Sequence, residues 1–218
     1  MENNQNYLMV ALQLLGSLGL LIFGMRLMSE ALQKMAGPQL RHILAKMTTN
    51  RITGMLTGTL VTCAVQSSSA TTVMTVSFVS AGLLTLAQAI SVIMGANIGT
   101  TVTSLMLSVD LDFSMIFCAI GAVCLLLGNK AGVKNLGQIM LGLGMLFVGM
   151  DTMSAAMEPL RDWEGFRQMM AAASNPIVGV LVGAGVTALL QSSSASVGIL
   201  QALAGEGLIP LQSSVFIL

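Results

Sequence analysis

Gln-Ser-Ser-Ser-Ala at residues 66–70 recurs letter for letter at residues 191–195, an offset of 125 residues (191 − 66). Both copies interrupt strongly apolar segments, where polar groups are costly to bury unless they have partners or a function. The same offset holds without a gap over about residues 18–211, and it superimposes the glycine pattern of residues 54–58 on that of residues 179–183. The sequence therefore predicts a duplicated unit with an interrupted hydrophobic segment, which is typical of secondary transporters.

The composition excludes most soluble classes of protein. Hydrophobic residues make up 55% of the chain and charged residues only 8%, and the mean hydropathy is +0.86. A soluble domain carries roughly 25% charged residues, so this chain cannot cover its surface with charge. Because apolar segments of about 20 residues fit membrane-crossing helices, we expect an all-α integral membrane protein in a lipid bilayer. The net charge of zero gives no information about nucleic acid, but the sequence has no basic stretch with interleaved aromatic residues, so no nucleic-acid partner is expected.

The two polar interruptions predict re-entrant helical hairpins. As one helix, residues 54–84 would be much longer than the hydrocarbon core of roughly 30 Å, at about 1.5 Å per residue. Folded at the polar run, they form two short arms, a geometry allowed where the tip is buried in protein or faces a water-filled cavity. Residues 177–209 form the second such hairpin, and a rival interpretation with two full spans in each is weaker because each arm is too short. Full crossings are predicted for residues 7–28, 86–109, 113–128 and 137–153.

Loop charge and the repeat give the same topology. Lys and Arg are concentrated in a predicted loop of about residues 30–52, which places that loop on the cytoplasmic side. The next crossing leads to Asp110 and Asp112, with no basic residue nearby. Since a hairpin makes no net crossing, each unit crosses three times and the second unit is inverted. We predict two inverted-topology repeats, residues 1–130 and residues 131–218, of which the second is truncated.

The chemistry of each tip suits a small ion. The first turn of the returning arm has unpaired N–H groups and a partial positive charge, which favour an anion, and the last turn of the entering arm offers carbonyls for a cation. Serine hydroxyls and the glutamine amide supply further donors and acceptors. Neither tip contains a carboxylate, so sodium is a more natural coupling ion than a proton. Inserted from opposite faces, the two tips are expected to meet near the midplane in one shared site.

A second local feature is Gly-Ala-Asn-Ile-Gly-Thr-Thr at residues 95–101, inside the predicted third segment. Two glycines, an amide and two adjacent threonines in an apolar segment indicate either a helix break or close packing. Asn97 can offer a carbonyl oxygen to an ion, and Thr100 and Thr101 can offer hydroxyls, but the glycine spacing is also that of a common packing motif. The counterpart of this stretch at the same offset falls beyond Leu218, so the chain is expected to be a fragment or a truncated form.

The paired Gln-Ser-Ser-Ser runs, together with residues 95–101, resemble the type II sodium/phosphate cotransporter family in its bacterial branch. The resemblance covers almost the whole chain. It implies sodium-coupled symport of inorganic phosphate across the cytoplasmic (inner) membrane by alternating access, with sodium shared among the same residues and no other cofactor. Bacterial members often append a soluble helical domain resembling PhoU, which is a candidate regulatory partner. By the resemblance, the substrate- and ion-binding residues are Gln66, Ser67, Ser68, Ser69, Gln191, Ser192, Ser193, Ser194, Asn97, Thr100 and Thr101.

Other function classes fit the sequence less well. An enzyme is not expected, because there is no HExxH motif, no Walker loop and a single histidine, His42. A non-transporting membrane scaffold or regulatory partner in phosphate homeostasis stays open, as does a symporter of another small oxyanion such as sulfate or a dicarboxylate. The chemistry of the tips alone does not separate these alternatives.

Overall fold

The structure is a computed structural model that describes residues 2–48, 50–108, 113–163, 165–166, 168 and 175–218. Within these ranges the regular secondary structure is helical, as the sequence predicts, and contains no strand. The helices are α1 (Glu2–Met47), α2 (Arg51–Val65), α3 (Ser68–Ser80), α4 (Leu86–Leu107), α5 (Ser114–Leu127), α6 (Ala131–Met157), α7 (Pro176–Leu190), α8 (Ser193–Gly205) and α9 (Leu211–Ile217), with a 3-10 turn at Glu158–Asp162.

Three of the described helical stretches are long and apolar enough to cross a membrane: Leu8–Met35, Leu86–Leu107 and Ala131–Leu160. The chain is therefore an all-helical membrane protein, as its composition predicts. These stretches contain most of three of the predicted crossings. The fourth, predicted at residues 113–128, falls short, because α5 has 14 residues and a length of about 21 Å against a hydrocarbon core of roughly 30 Å.

The basic stretch predicted as a loop at residues 30–52 is mostly helical, so that part of the prediction is wrong. Helix α1 runs on to Met47, and only the short segment before Arg51 lies between it and α2. The physical reason is that Ala, Leu, Gln, Met and Lys are strong helix formers, whether or not they face water. Asp110 and Asp112, which supported the predicted orientation, lie outside the described residues. The cytoplasmic placement of the basic stretch and the inversion of the second unit stay predictions.

The chain divides into two compact units. One contains residues 25–109 and 115–144, and it holds the first hairpin, α2 and α3. The other contains residues 1–24, 110–114 and 145–218, and it holds the second hairpin, α7 and α8. The predicted repeat boundary near residue 130 concerns duplication in the sequence and stays a prediction.

Glycines bring α2 and α4 into backbone contact within the unit of the first hairpin. A Cβ atom on Gly58 would clash with the Val92 carbonyl, and one on Gly95 would clash with the Met55 carbonyl. Thr59 Oγ1 donates a hydrogen bond of 3.0 Å to the Gly95 carbonyl across this seam. Small residues of this kind are what allows helices in membranes to approach closely, since lipid gives them no hydrophobic reason to associate.

The second hairpin packs against α9 by the same means. A Cβ atom on Gly183 would clash with the Ile217 carbonyl. Gly183 and Ile217 stand 125 residues after Gly58 and Val92, the same offset as the two serine runs. The duplication in the sequence is therefore matched by a duplicated contact between helices.

Both hairpins also begin and end alike. Asn50 and Asn175 cap α2 and α7, each by accepting a backbone N–H at the helix start. Gly82 and Gly207 follow α3 and α8 with φ angles of 70° and 68°. Only glycine adopts this left-handed region without strain, so the end of each hairpin is fixed by its glycine.

Candidate functional site

The first tip is a tight turn between two helices, built on Gln66. This residue has φ 56° and ψ 30° at the end of α2, and Ser67 is extended and caps α3 by accepting the Ala70 N–H. The Gln66 N–H donates 2.7 Å to the Thr62 carbonyl. A residue other than glycine is uncommon in the left-handed region. A glutamine at this position therefore indicates that the side chain has a function that glycine could not perform.

The Gln66 amide clamps the tip from within. Its Nε2 donates 2.6 Å to the Cys63 carbonyl of α2, and its Oε1 accepts a hydrogen bond of 2.7 Å from Thr103 Oγ1 of α4. Thr103 is only 3% exposed. Each end of the amide thus makes one hydrogen bond inside the protein, and Gln66 orders the turn. Its oxygen keeps a second lone pair, so its role as a ligand stays a prediction.

The carbonyls at the end of α2 are largely engaged as well. Those of Thr62 and Cys63 accept from Gln66, and that of Val65 accepts 2.9 Å from Ser29 Oγ of α1. Ser29 is held in turn by the Gln33 amide at 3.0 Å. The sequence predicts carbonyls here for a cation. Each of these three carbonyls accepts a hydrogen bond and keeps a second lone pair, so the cation site stays a prediction.

The start of α3, in contrast, carries polar groups that make no hydrogen bond within the described residues. In the part of the chain that the structure describes, the hydroxyls of Ser68 and Ser69 make no hydrogen bond, and the first-turn N–H groups of these residues have no partner within the helix. Ser69 is exposed and Ser68 is half-buried. The helix dipole adds a partial positive charge at this end. The first tip therefore presents a cluster of donors suited to an oxyanion, with no Lys or Arg.

The second tip repeats this geometry. Gln191 has φ 52° and ψ 27°, its N–H donates 2.8 Å to the Thr187 carbonyl, and its Nε2 donates 2.6 Å to the Ala188 carbonyl. Ser192 caps α8 by accepting the Ala195 N–H at 3.2 Å. The hydroxyls of the two remaining serines again make no hydrogen bond among the described residues, and these serines are Ser193 and Ser194.

A hydroxyl pair ties the two arms of each hairpin just below the tip. Thr62 and Thr71 are 2.9 Å apart at their Oγ1 atoms in the first hairpin, and Thr187 Oγ1 lies 2.9 Å from Ser196 Oγ in the second. These pairs stand at the 125-residue offset. They were not among the predicted site residues, although Thr62 and Thr187 align in the repeat and could have been found from it.

The candidate ligands of residues 95–101 do not join the first tip through any described hydrogen bond. Helix α4 continues unbroken through this stretch, so the two glycines serve close packing and not a helix break. Thr100 and Thr101 donate to the Ala96 and Ile98 carbonyls of their own helix, and Asn97 is exposed. The residue of α4 that does reach the tip is Thr103.

Comparison with known proteins places these features in a family. The family model described as Na+/Pi-cotransporter matches residues 20–155 and 159–218. The "Putative inorganic phosphate export protein YjbB" of Escherichia coli strain K12 is 28% identical over 204 residues, which cover 93% of this chain and 38% of that protein. The "Uncharacterized protein YqeW" of Bacillus subtilis strain 168 is 30% identical over 193 residues, 88% of this chain and 63% of that protein. The human "Sodium-dependent phosphate transport protein 2B" is 41% identical over 93 residues, 42% of this chain and 14% of that protein.

The chain thus spans 38% of the length of the YjbB protein that it resembles. No solved structure matches it. The family match includes both hairpins and both Gln-Ser-Ser-Ser tips, which carried the resemblance in the sequence. On this match, the chain belongs to the Na+/Pi-cotransporter family.

Proposed function

We propose that the protein containing this chain is a sodium-coupled symporter of inorganic phosphate in the cytoplasmic membrane. Family membership supports phosphate transport, and the human relative is named as a sodium-dependent phosphate transporter. The proposal includes alternating access, with the basic stretch of about residues 30–52 on the cytoplasmic side. It also keeps a PhoU-like domain or protein as the regulatory partner.

The single observation that carries the proposal is the pair of matching serine tips. Each tip presents two serine hydroxyls and the N–H groups of a helix start. None of these hydroxyls makes a hydrogen bond within the described residues. Phosphate is a small anion with several acceptor oxygens, so donors at a helix start suit it well. The residues proposed to bind it are Ser68, Ser69, Ser193 and Ser194.

The coupling sodium is proposed to share the oxygens of the same tips. Sodium takes oxygen ligands, and serine hydroxyls and the Gln191 side-chain oxygen offer them. The amide oxygen of Gln66 accepts from Thr103, and its second lone pair is a further proposed ligand for sodium. Asn97, Thr100 and Thr101 remain proposed ligands through the family resemblance alone.

The test uses the complete protein in proteoliposomes and radiolabelled phosphate. A sodium gradient should drive phosphate flux, and replacing sodium by choline should abolish it. We expect Ser68→Ala or Ser193→Ala to lower the apparent phosphate affinity by about tenfold or more, since a hydrogen bond to a charged group contributes about 1.5–3 kcal/mol. Ser77→Ala is the matched control, because its hydroxyl donates to the Val73 carbonyl of its own helix, away from the tip.

Each other outcome has its own meaning. Equal flux in sodium and choline would refute the coupling, and unchanged phosphate affinity in both serine variants would refute the serine tips as the phosphate site. Phosphate flux no greater than in protein-free liposomes would favour the scaffold alternative. Stronger inhibition by sulfate or a dicarboxylate than by unlabelled phosphate would identify another anion as the substrate. Because the Escherichia coli relative is named as an export protein, flux is measured in both directions, and outward flux against the sodium gradient would contradict symport into the cell.

A further inference from the structure

A groove between α2 and α4 lies away from the serine tips, in the unit of the first hairpin. It has a volume of about 490 Å³, which is within the range of about 300–1,000 Å³ that is common for small-molecule sites. Ile52 and Met55 of α2 and Ile90 and Met94 of α4 line it. Methionine side chains are flexible and adapt to chain-like apolar ligands. The walls are thus suited to hydrocarbon.

One end of this groove carries a cation. Arg51 lines it, is exposed, and forms no ion pair within the described residues. Neither α2 nor α4 has an acidic residue in its first turn to balance the charge. The polar side chain in the wall, that of Ser91, is satisfied, because its hydroxyl donates 3.0 Å to the Ala87 carbonyl. The groove therefore has a single charged end and an otherwise apolar lining.

The charged end lies at the depth of lipid headgroups. Helices α2 and α4 run in the same direction, since Gly54 lies beside Ser91 near their starts and Gln66 bonds Thr103 near their ends. Helix α4 is a candidate membrane span of 22 residues, or about 33 Å, the thickness of a hydrocarbon core. Its start, and Arg51 with it, is thus at the membrane boundary, and the groove continues from there towards the bilayer interior.

We propose that this groove binds one anionic phospholipid. The Arg51 guanidinium pairs with the lipid phosphate, for which its planar fork of donors is well shaped. One acyl chain lies along Met55 and Met94. Free inorganic phosphate does not fit this description, because the groove offers a single cation and apolar walls that a phosphate ion could not use.

The second hairpin lacks the same feature. The position 125 residues after Arg51 is occupied by Pro176, which carries no charge. The two hairpins share their serine tips and their glycine contacts but differ at this position. Arg51 is therefore not needed for the tips or for the helix packing that both hairpins show. The lipid site goes beyond the proposed transport function, and it can be tested without measuring transport.

The experiment is native mass spectrometry of the complete protein purified in detergent, titrated with phosphatidylglycerol or with phosphatidylcholine of the same acyl composition. The wild-type protein should bind one phosphatidylglycerol with about fivefold preference over phosphatidylcholine, the ratio expected for one cationic side chain near an anionic headgroup. Arg51→Gln should abolish this preference, and Arg51→Lys should keep most of it. Ala87→Trp, which fills the groove, should weaken binding of both lipids. Lys130→Gln, a loss of another exposed cation, should change nothing.

Several results would overturn the proposal. They are a wild-type protein with no preference for the anionic lipid, a preference that survives in Arg51→Gln, or an equal loss of preference in Lys130→Gln. Displacement of the lipid by millimolar inorganic phosphate in the wild-type protein would show that the site takes free phosphate instead. Helix content measured by circular dichroism identifies any misfolded variant, and the wild-type titrations and the phosphate competition decide the matter without variants.

Discussion

At the scale of single residues, the glutamine of each tip is the unexpected feature. The sequence suggested Gln66 and Gln191 as ligands, yet the amide of each one donates to a carbonyl of the preceding helix. Each also holds a left-handed backbone, which is strained for any residue with a side chain. A glutamine that tolerates this strain and caps the helix end is a structural part of the turn. The serines that follow it form the proposed phosphate site, and the glutamine oxygens stay proposed ligands for sodium.

The two glutamines differ in one contact, and this gives a matched comparison. We expect Gln66→Ala to lower the free energy of unfolding by about 1–3 kcal/mol, because it leaves the buried Thr103 hydroxyl without its acceptor. Gln191→Ala removes only the bond to the Ala188 carbonyl and should cost about 0.5–1.5 kcal/mol. Both variants keep the same backbone strain. Denaturant unfolding in detergent measures the difference. An equal loss of unfolding free energy in both variants would contradict a stabilising role for the hydrogen bond between Thr103 and Gln66.

At the scale of elements, a contact between helix backbones decides the register of each hairpin. Gly58 and Gly183 admit a carbonyl where any side chain would exclude it. This register in turn places Thr103 against Gln66. The hydrogen bond is therefore a consequence of helix packing.

A substitution on α7 separates packing from helix propensity. Gly183→Ala should lower the free energy of unfolding by about 1–3 kcal/mol or more, because its Cβ meets the Ile217 carbonyl. Gly185→Ala, two residues further along the same helix, meets no atom within 4 Å, and should be neutral or stabilising by up to about 1 kcal/mol. Thermal unfolding of both variants in one detergent tests this. Similar melting temperatures for the two variants would mean that α7 and α9 are not tightly packed at Gly183.

Particular residues show how far the sequence could predict these elements. The helix–turn–helix around each serine run followed from the polar break and from the offset between Gln66 and Gln191, and the turn lies where that break is. The contact with Thr103 could not be predicted, because it depends on which residues of α2 and α4 face each other. The helical continuation of α1 was missed for another reason. Basic residues indicate that a segment is exposed to water, but an exposed segment can still be helical.

At the scale of the whole molecule, the number of membrane crossings depends on α5. Three stretches are long enough, while the predicted topology needs a fourth crossing at α5. Helix α5 is too short to cross by itself. Residues on either side of it would have to complete the passage, as happens when a bilayer thins locally or flanking residues reach to the interface.

Cysteine labelling decides between these topologies. After Cys63, Cys118 and Cys124 are replaced, a single cysteine is placed at Lys34, Lys130 or Glu158 in the complete protein. We expect Lys34→Cys and Lys130→Cys to react with an impermeant maleimide from the cytoplasmic side only, since basic segments stay inside. Glu158→Cys, beyond the other end of α6, should react from the outside only.

Two outcomes would contradict this topology. Labelling of Lys34→Cys and Lys130→Cys from opposite sides would mean an odd number of crossings between them, the result expected if α4 crosses and α5 does not. Labelling of Lys130→Cys and Glu158→Cys from the same side would show that the long apolar stretch from Ala131 to Leu160 does not cross either.

The length of α1 has a practical consequence. The helix continues to Met47, and its later part is held against the first hairpin. The Ser29 hydroxyl donates to the Val65 carbonyl, and Leu44 is fully buried in a core that includes Val61. This part of α1 therefore braces the hairpin along its length. An affinity tag or a fluorescent protein inserted between residues 29 and 47 would pull the helix from the hairpin, so such fusions belong elsewhere in the chain.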